Sequence, residues 1–233
     1  MTLDRTGALR DLVDKAAVDL EDADAEAIMG WAVEHLNGRI VVATSMQDAV
    51  VVDIASKVAP GIDVVFLDTG YHFPETIGMR DAVAATYDIR LLSVQPGQTV
   101  PEQDESYGKD LFARNPDLCC HLRKVVPLDT MLGMYDGWVT GLRRTEAPTR
   151  VGVSPVEWDG KREMLKVNPI VAWSDEDVDR YIEERNILVN PLRSEGFLSI
   201  GCAPCTAKVE PGADPRSGRW AGQDKRECGL HVD

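Results

Sequence analysis

The chain predicts an α/β fold, a mostly parallel sheet with helices on both faces, followed by a flexible C-terminal tail. Short β-branched runs alternate with apolar patterns of helical spacing. Asn-Gly, Pro-Gly and similar breakers separate them. Beyond Pro211 the composition shifts to Gly, Pro and charge. Strand–helix alternation needs crossovers, and crossovers make strands parallel and cover both sheet faces.

Residues 3–36 read as helical, first with Leu9, Leu12, Val13, Ala16, Ala17 and Leu20 on one stripe, then from Asp24 to Leu36, with Asn37-Gly38 as the stop. The period then changes. Arg39 to Thr44 is a β-branched run of the kind a buried strand shows, followed by a turn at Ser45-Met46-Gln47 and a helix from Asp48 to Val58. Asp63 to Gly70 repeats strand and loop, and a helix is expected from Pro74 to about Tyr87. Ile89–Val94 is a third strand. Residues 95–118, with Pro96-Gly97 and Pro101, read as an excursion from the sheet. A helix from Cys119 to Met134 leads to a fourth strand, Gly137 to Leu142. Val156–Val167 reads as a hairpin around Asp159-Gly160. Ser174 caps a helix reaching about Asn186. These elements divide the chain into a single α/β domain over 1–209 and a mobile tail over 210–233.

The chain has 233 residues and a formal net charge of −14. So acidic a protein lacks the basic footprint of a nucleic-acid binder. No stretch reaches the ~18 consecutive apolar residues of a membrane helix, and no basic-then-apolar leader follows Met1. The expected compartment is the cytoplasm, where thiols stay reduced. No oligomeric state is assigned.

Five cysteines in that setting point to metal or catalysis before disulfides. Cys119-Cys120 are adjacent, and Cys202-Ala-Pro-Cys205 is a CxxC. Four thiolates suit a zinc ion or an iron–sulfur cubane. The adjacent pair is less usual around one zinc. Arg123, Lys124 and Lys208 supply nearby positive charge. Cys228 stands apart in Glu227-Cys-Gly-Leu-His231, with Arg216, Arg219, Lys225 and Arg226 around it. Positive neighbours favour thiolate, and His231 is suited to lower the thiol's pKa or to orient a leaving group.

Ligands on open α/β sheets bind beyond the strands' carboxyl ends. That rule selects loops 44–48, 68–73 and 141–145. Ser45 lies between a strand and a helix N-terminus, where free N–H groups attract anions. Asp68-Thr69-Gly70 occupies the equivalent place after the second strand. Gly141-Leu-Arg143-Arg144 offers two guanidiniums, which hold phosphate or sulfate through paired hydrogen bonds. His72 is given no catalytic role.

Leu67-Asp-Thr-Gly70, Cys119-Cys120 with Arg123-Lys124, Gly141-Leu-Arg-Arg144, Cys202-Ala-Pro-Cys205, Arg216-Ser-Gly-Arg-Trp220 and Glu227-Cys-Gly-Leu-His231 together resemble the assimilatory adenylyl-sulfate (APS) reductases, relatives of the phosphoadenylyl-sulfate (PAPS) reductases and of the adenine nucleotide alpha-hydrolase (ATP-pyrophosphatase) fold. The match runs from about residue 39 onward. The resemblance implies a [4Fe-4S] cluster on Cys119, Cys120, Cys202 and Cys205. It implies that Cys228 attacks the sulfur of a nucleotide-linked sulfate, leaving an S-sulfonate that thioredoxin or a similar dithiol resolves to sulfite, in sulfate assimilation and cysteine biosynthesis. It also implies that Lys124, Arg143 or Arg144, Arg216, Arg219 and His231 hold the phosphate and sulfate. The rivals are the same reaction on PAPS and a metal-stabilised nucleotide-binding module in which Cys228 has no role. The Gly-rich SGGxDS-type loop of an adenylating enzyme is missing at Thr44-Ser-Met-Gln-Asp48.

Overall fold

The computed structural model describes residues 5–210, 212–223, 225 and 227–230, with side chains from residue 9 onward. Helices α1 (Arg5–Asp19) and α2 (Ala25–His35) come first. Asp24 caps α2 by accepting from Ala27 N, and Asn37 and Gly38 both take positive φ after its end. Strand β1 (Ile40–Thr44), α3 (Val50–Val58), β2 (Ile62–Leu67), α4 (Pro74–Thr86) and β3 (Ile89–Val94) follow in the expected alternation.

The helix expected from Cys119 to Met134 is divided. Residues 95–118 contribute α5 (Val100–Tyr107), α6 (Leu111–Arg114) and the start of α7 (Pro116–Cys120). A π-helical turn spans His121–Val125 before α8 (Val126–Leu132). Val126 N–H reaches back to His121 O, one residue further than an α-helix allows. Pro127 explains the widening. It has no N–H to donate, and its ring would collide with the carbonyl four residues earlier.

Strand β4 is shorter than expected, Gly137–Val139. The hairpin forms as expected from β5 (Val156–Asp159) and β6 (Met164–Val167), and β6 joins the main sheet parallel to β4. Helix α9 (Asp175–Arg185) carries the Ser174 cap, with Asp177 completing a capping box.

Among the described residues these strands form a six-stranded sheet ordered β3-β2-β1-β4-β6-β5, parallel except for the β5–β6 pair. The chain steps outward from β1 to β3 and then returns to the other side of β1. The strand order therefore reverses between β1 and β4, where crevices open at carboxyl ends. Successive side chains of a strand face opposite ways. Ile40, Val42, Val64 and Phe66 pack against α2, α3 and α4 on one face. Val41, Val65 and Trp138 pack against Leu128 and Leu132 of α8 on the other. Helix α3 is buried from Val50 to Ser56 and is apolar on most sides, as a helix enclosed by others should be.

Candidate functional site

The loops after β1 and β2 are held by one later stretch of chain. Asn190 N donates to Gln47 O at 3.0 Å, and Ala49 N donates to Leu188 O at 3.0 Å. Asn190 Nδ2 also donates to Met46 O and to Thr76 Oγ1, both at 3.1 Å. Gln47 Oε1 accepts from Ile200 N at 2.9 Å. Two residues on, Cys202 Sγ lies 3.3 Å from Thr69 Oγ1, and Ala203 N donates to Tyr71 O at 2.7 Å. The CxxC is thus seated on the loop after β2.

The helix expected to start at Asp48 starts two residues later. Asp48 Oδ1 accepts from Val50 N at 3.1 Å, while Asp48 bridges to Val189. The first free N–H of α3 is therefore capped by the chain's own carboxylate. Burial raises the Asp48 pKa, against that hydrogen bond and the charges of Arg193 and Arg143. Ser45 is exposed at the mouth of this loop. Across the switch point, a Cβ on Gly141 would stand 3.3 Å from Val51 Cγ2, so the loop after β4 runs hard against α3.

Cys119, Cys120, Cys202 and Cys205 line one cavity with Tyr71, Arg123, Lys124 and Trp220. Burial pushes the Cys119 thiol up to about 12, and the charges of Cys120, Cys202 and Cys205 add to the rise. Cys205 is pushed to about 11 for the same reasons, against Lys124 and Arg219. Burial also raises Cys120, opposed by Lys124 and Lys225. Such a set resists ionising together unless a cation compensates it. Four mutually coupled sulfurs in one cavity fit a four-thiolate ligand set. Among the described residues, no three His, Cys, Asp or Glu side chains are gathered as a single-ion site.

Lys124 is half-buried. Burial pulls its pKa down, but Cys202, Cys228 and Cys120 outweigh that, and the net direction is up. Lys124 lines the same cavity as the four cysteines. Arg123, expected as a positive charge beside the thiols, lines their cavity and opposes the rise of Cys119, and it is a scaffold as well. Its Nε donates to Thr69 O at 2.5 Å, and its Nη1 donates to Gln103 Oε1 at 3.0 Å and Gln98 O at 3.3 Å. A Cβ on Gly70, which has φ +73°, would meet the Arg123 guanidinium at 3.1 Å.

The two arginines after β4 diverge. Arg144 donates to Glu21 Oε1 at 2.6 Å and Oε2 at 2.8 Å, and to Val153 O at 2.7 Å, which ties it to the turn after α1. Arg143 pairs with Asp175 at 2.8 Å and with Glu146 at 3.7 Å. Asp68 accepts from Gly70 N at 3.2 Å and faces Arg80 at 3.7 Å. His72 is packed: Nε2 donates to Leu67 O at 2.8 Å, and burial lowers its pKa.

The described part of the tail lies against the domain. Ala207 N donates to Gly218 O at 2.8 Å, Thr206 bridges to Arg219, and Trp220 N donates to Cys205 O at 3.1 Å. Trp220 is only 3% exposed, with the Arg219 guanidinium 4.6 Å from its ring centroid. It is a packing residue and not a stacking platform. Lys225 pairs with Asp117 on α7. Arg216 Nη2 donates to Glu227 Oε2 at 3.1 Å, and Arg150 engages both oxygens of Glu227. Arg226 and His231 lie outside the described residues. Sequence reasoning passed over Arg150, Asn190 and Gln47. Glu227 had a signal in its place beside Cys228.

The family model for the phosphoadenosine phosphosulfate reductase domain matches residues 39–208. A protein named adenosine 5'-phosphosulfate reductase from Mycolicibacterium smegmatis is 58% identical over 232 residues, covering 100% of this chain and 98% of that one. Its namesake from Streptomyces coelicolor is 54% identical, with 97% and 96% covered. Among solved structures, a phosphoadenylyl-sulfate reductase from Candida auris, in a phosphate complex, superposes with a TM-score of 0.72 at 26% identity, covering 90% of this chain and 99% of that one. The FMN adenylyltransferase of Candida glabrata shares the fold at a TM-score of 0.55 and 14% identity, with 92% of this chain and 73% of that one covered.

Proposed function

Because the chain belongs to the phosphoadenosine phosphosulfate reductase domain family, we propose that it reduces adenosine 5'-phosphosulfate to sulfite and AMP, as the names of relatives at 58% and 54% identity indicate for them. It is an oxidoreductase acting on sulfur, in sulfate assimilation. The observation that supports the reading is the seating of the Cys228 segment on the domain: a Cβ on Gly229 would stand 3.7 Å from Val125 Cγ2, one residue from Lys124, and Leu230 packs against the core beside it.

The thiolate, not the thiol, is the nucleophile in such a displacement. In the proposed first step the Cys228 thiolate attacks the sulfuryl sulfur. A new S–S bond forms, the S–O bond to phosphate breaks, and AMP leaves with the electron pair. Lys124, Arg143, Arg216 and Arg219 offset the phosphate and sulfate charge, which makes AMP a better leaving group. A dithiol such as thioredoxin then attacks Cys228 Sγ. The S–S bond breaks, sulfite departs with its electron pair, and the second thiol of the dithiol frees Cys228 as the dithiol becomes a disulfide. His231 is proposed to assist at the thiol.

Cys119, Cys120, Cys202 and Cys205 would hold a [4Fe-4S] cluster, which would supply fixed charge and local order beside Lys124. The residues fit that group by their donor chemistry and shared cavity. No helix among the described residues is long and apolar enough to cross a membrane, and the proposed compartment is the cytoplasm. The domain over 1–209 would bind nucleotide and cluster, and the tail over 210–233 would bring the nucleophile and move during the cycle.

The test is anaerobic incubation with adenylyl sulfate and no reductant, followed by intact mass and peptide mapping. One SO3 on Cys228 is the expected adduct. An adduct with the 3'-phosphorylated nucleotide alone would move the substrate and keep the chemistry. No adduct with either, in iron-replete protein, would overturn the proposal in favour of a binding module.

A further inference from the structure

We propose that Glu227 and Leu230 are positioning residues that dock the Cys228 segment at two points, one on either side of the thiol. The inference rests on reading Cys228 as the nucleophile. The first point is a carboxylate clasp. Arg150 donates to Glu227 through Nε at 3.1 Å and through Nη2 at 3.0 Å, and Arg216 Nη2 donates at 3.1 Å. The Arg150 and Glu227 side chains are 9% and 15% exposed, so this is no surface pair screened by solvent. Removing one partner would strand the others with little water. Glu146 holds Arg150 from the opposite side and fixes the guanidinium plane.

The second point is mostly apolar. Leu230 packs into the cluster formed by Val41, Val65, Leu128 and Trp138. Its carbonyl accepts from Arg162 Nη1 at 3.1 Å. Arg162 is itself held by Asp129 at 2.7 Å and Asp159 at 2.8 Å. Between the two points Gly229 takes φ +80°, a turn other residues rarely make. Three residues of chain span about 10 Å at most. Anchors that close in sequence leave Cys228 little room while both are engaged.

A competing account is that Glu227 merely occupies arginines meant for the substrate's anion. The two accounts predict opposite kinetics. The experiment uses the full chain, holding its iron, as wild type and as Glu227→Gln, Glu227→Asp and Leu230→Ala. It measures tryptic cleavage of the tail, iodoacetamide labelling of Cys228, and single-turnover S-sulfonate formation against adenylyl sulfate concentration. A thermal melt confirms that each variant is folded. Glu227→Gln and Leu230→Ala are expected to raise cleavage and labelling roughly tenfold, the factor that losing ~1.4 kcal/mol of docking gives. The saturating rate of adduct formation is expected to fall by about as much, with half-saturation changed less than about twofold and Glu227→Asp restoring part of the rate. Unchanged protection in both variants would overturn the proposal. So would a lower half-saturation concentration at an unchanged rate, the signature of a competitor. Absence of any adduct in wild type would refute the nucleophile reading alone, since cleavage and labelling still report the docking.

Discussion

Thr69 Oγ1 stands 3.3 Å from Cys202 Sγ, joining the loop after β2 to a cysteine 133 residues later. The same oxygen accepts from Tyr71 N at 3.3 Å, so one hydroxyl serves both the sulfur and the backbone of its own loop. Thr69 is fully buried, so neither bond has a water substitute at hand.

Thr69→Val keeps the shape and removes both bonds. Leaving a buried N–H and a sulfur unpartnered is expected to cost about 1–3 kcal/mol. A thermal melt with an iron assay through the transition checks it. A variant as stable and iron-retentive as wild type would show that the contact seats nothing.

Cys202→Ser is expected to lose iron and the brown absorbance of the purified protein, because a serine hydroxyl is a poor substitute for thiolate on a soft metal centre. Cys228→Ser is expected to keep both and to form no sulfite. Iron per chain, measured beside sulfite release, separates ligand from nucleophile. Full iron in Cys202→Ser would remove that cysteine from the ligand set.

Gly201 lies so close to the Arg219 guanidinium that a methyl group there would overlap it. Arg219 is the flexible partner, so Gly201→Ala should displace the guanidinium while the fold survives. The expected result is a roughly tenfold or greater rise in half-saturating nucleotide, as losing a charge-assisted hydrogen bond gives, with a Tm within a few degrees of wild type. Unaltered nucleotide dependence would mean Arg219 does not hold the substrate.

Arg143 and Arg144 should separate on substitution. Arg144→Ala breaks a partly exposed pair with Glu21 and should cost on the order of 0.5 kcal/mol, an effect Glu21→Gln reproduces. Nucleotide dependence should hardly move. Arg143→Ala, whose side chain is 11% exposed at the mouth of the switch point, should raise half-saturation about tenfold or more. The reverse ranking in a nucleotide titration would reassign the pair.

Asp63 accepts from Arg90 Nε and Nη2, both at 2.5 Å, and from Tyr135 OH at 2.6 Å. The Arg90 hydrogen bond leads in holding its pKa below the usual value, against burial. A carboxyl with a depressed folded pKa contributes stability above its unfolded value, ~3.9, and loses it as pH falls through the folded value. Asp63→Asn should therefore cost about 1 kcal/mol at neutral pH, and the difference should shrink below about pH 4. Denaturant melts of both proteins from pH 7 to 3 test this. A difference independent of pH would mean the pair is not ionised.

Much of the fold was legible because burial leaves periodic marks. The runs at Ile40–Thr44 and Ile62–Leu67 are mostly apolar on both faces, as strands covered on both sides are, while Ile89–Val94 at the sheet edge exposes Arg90 and Ser93. Ser174 and the Asp159-Gly160 turn carry their chemistry in adjacent residues. The π turn at His121–Val125 was not legible, because α and π spacing differ by one carbonyl and Pro127 acts on residues four positions back. The five cysteines were legible as a set by count and spacing alone.

By itself, then, the sequence determined the strand–helix alternation, the cysteine inventory and the loops that end the parallel strands. These are local quantities, set by backbone propensity and by which face of an element avoids water. The tertiary structure alone decided which charges meet. It sent Arg144 to Glu21 and kept Arg143 near the switch point. It made Arg123 a scaffold as well as a counter-charge. It brought Arg150 to Glu227, 77 residues apart. Ion pairs and hydrogen bonds act over a few ångströms and carry no periodicity, so their partners are chosen by the folded path of the chain and leave no trace in the order of its residues.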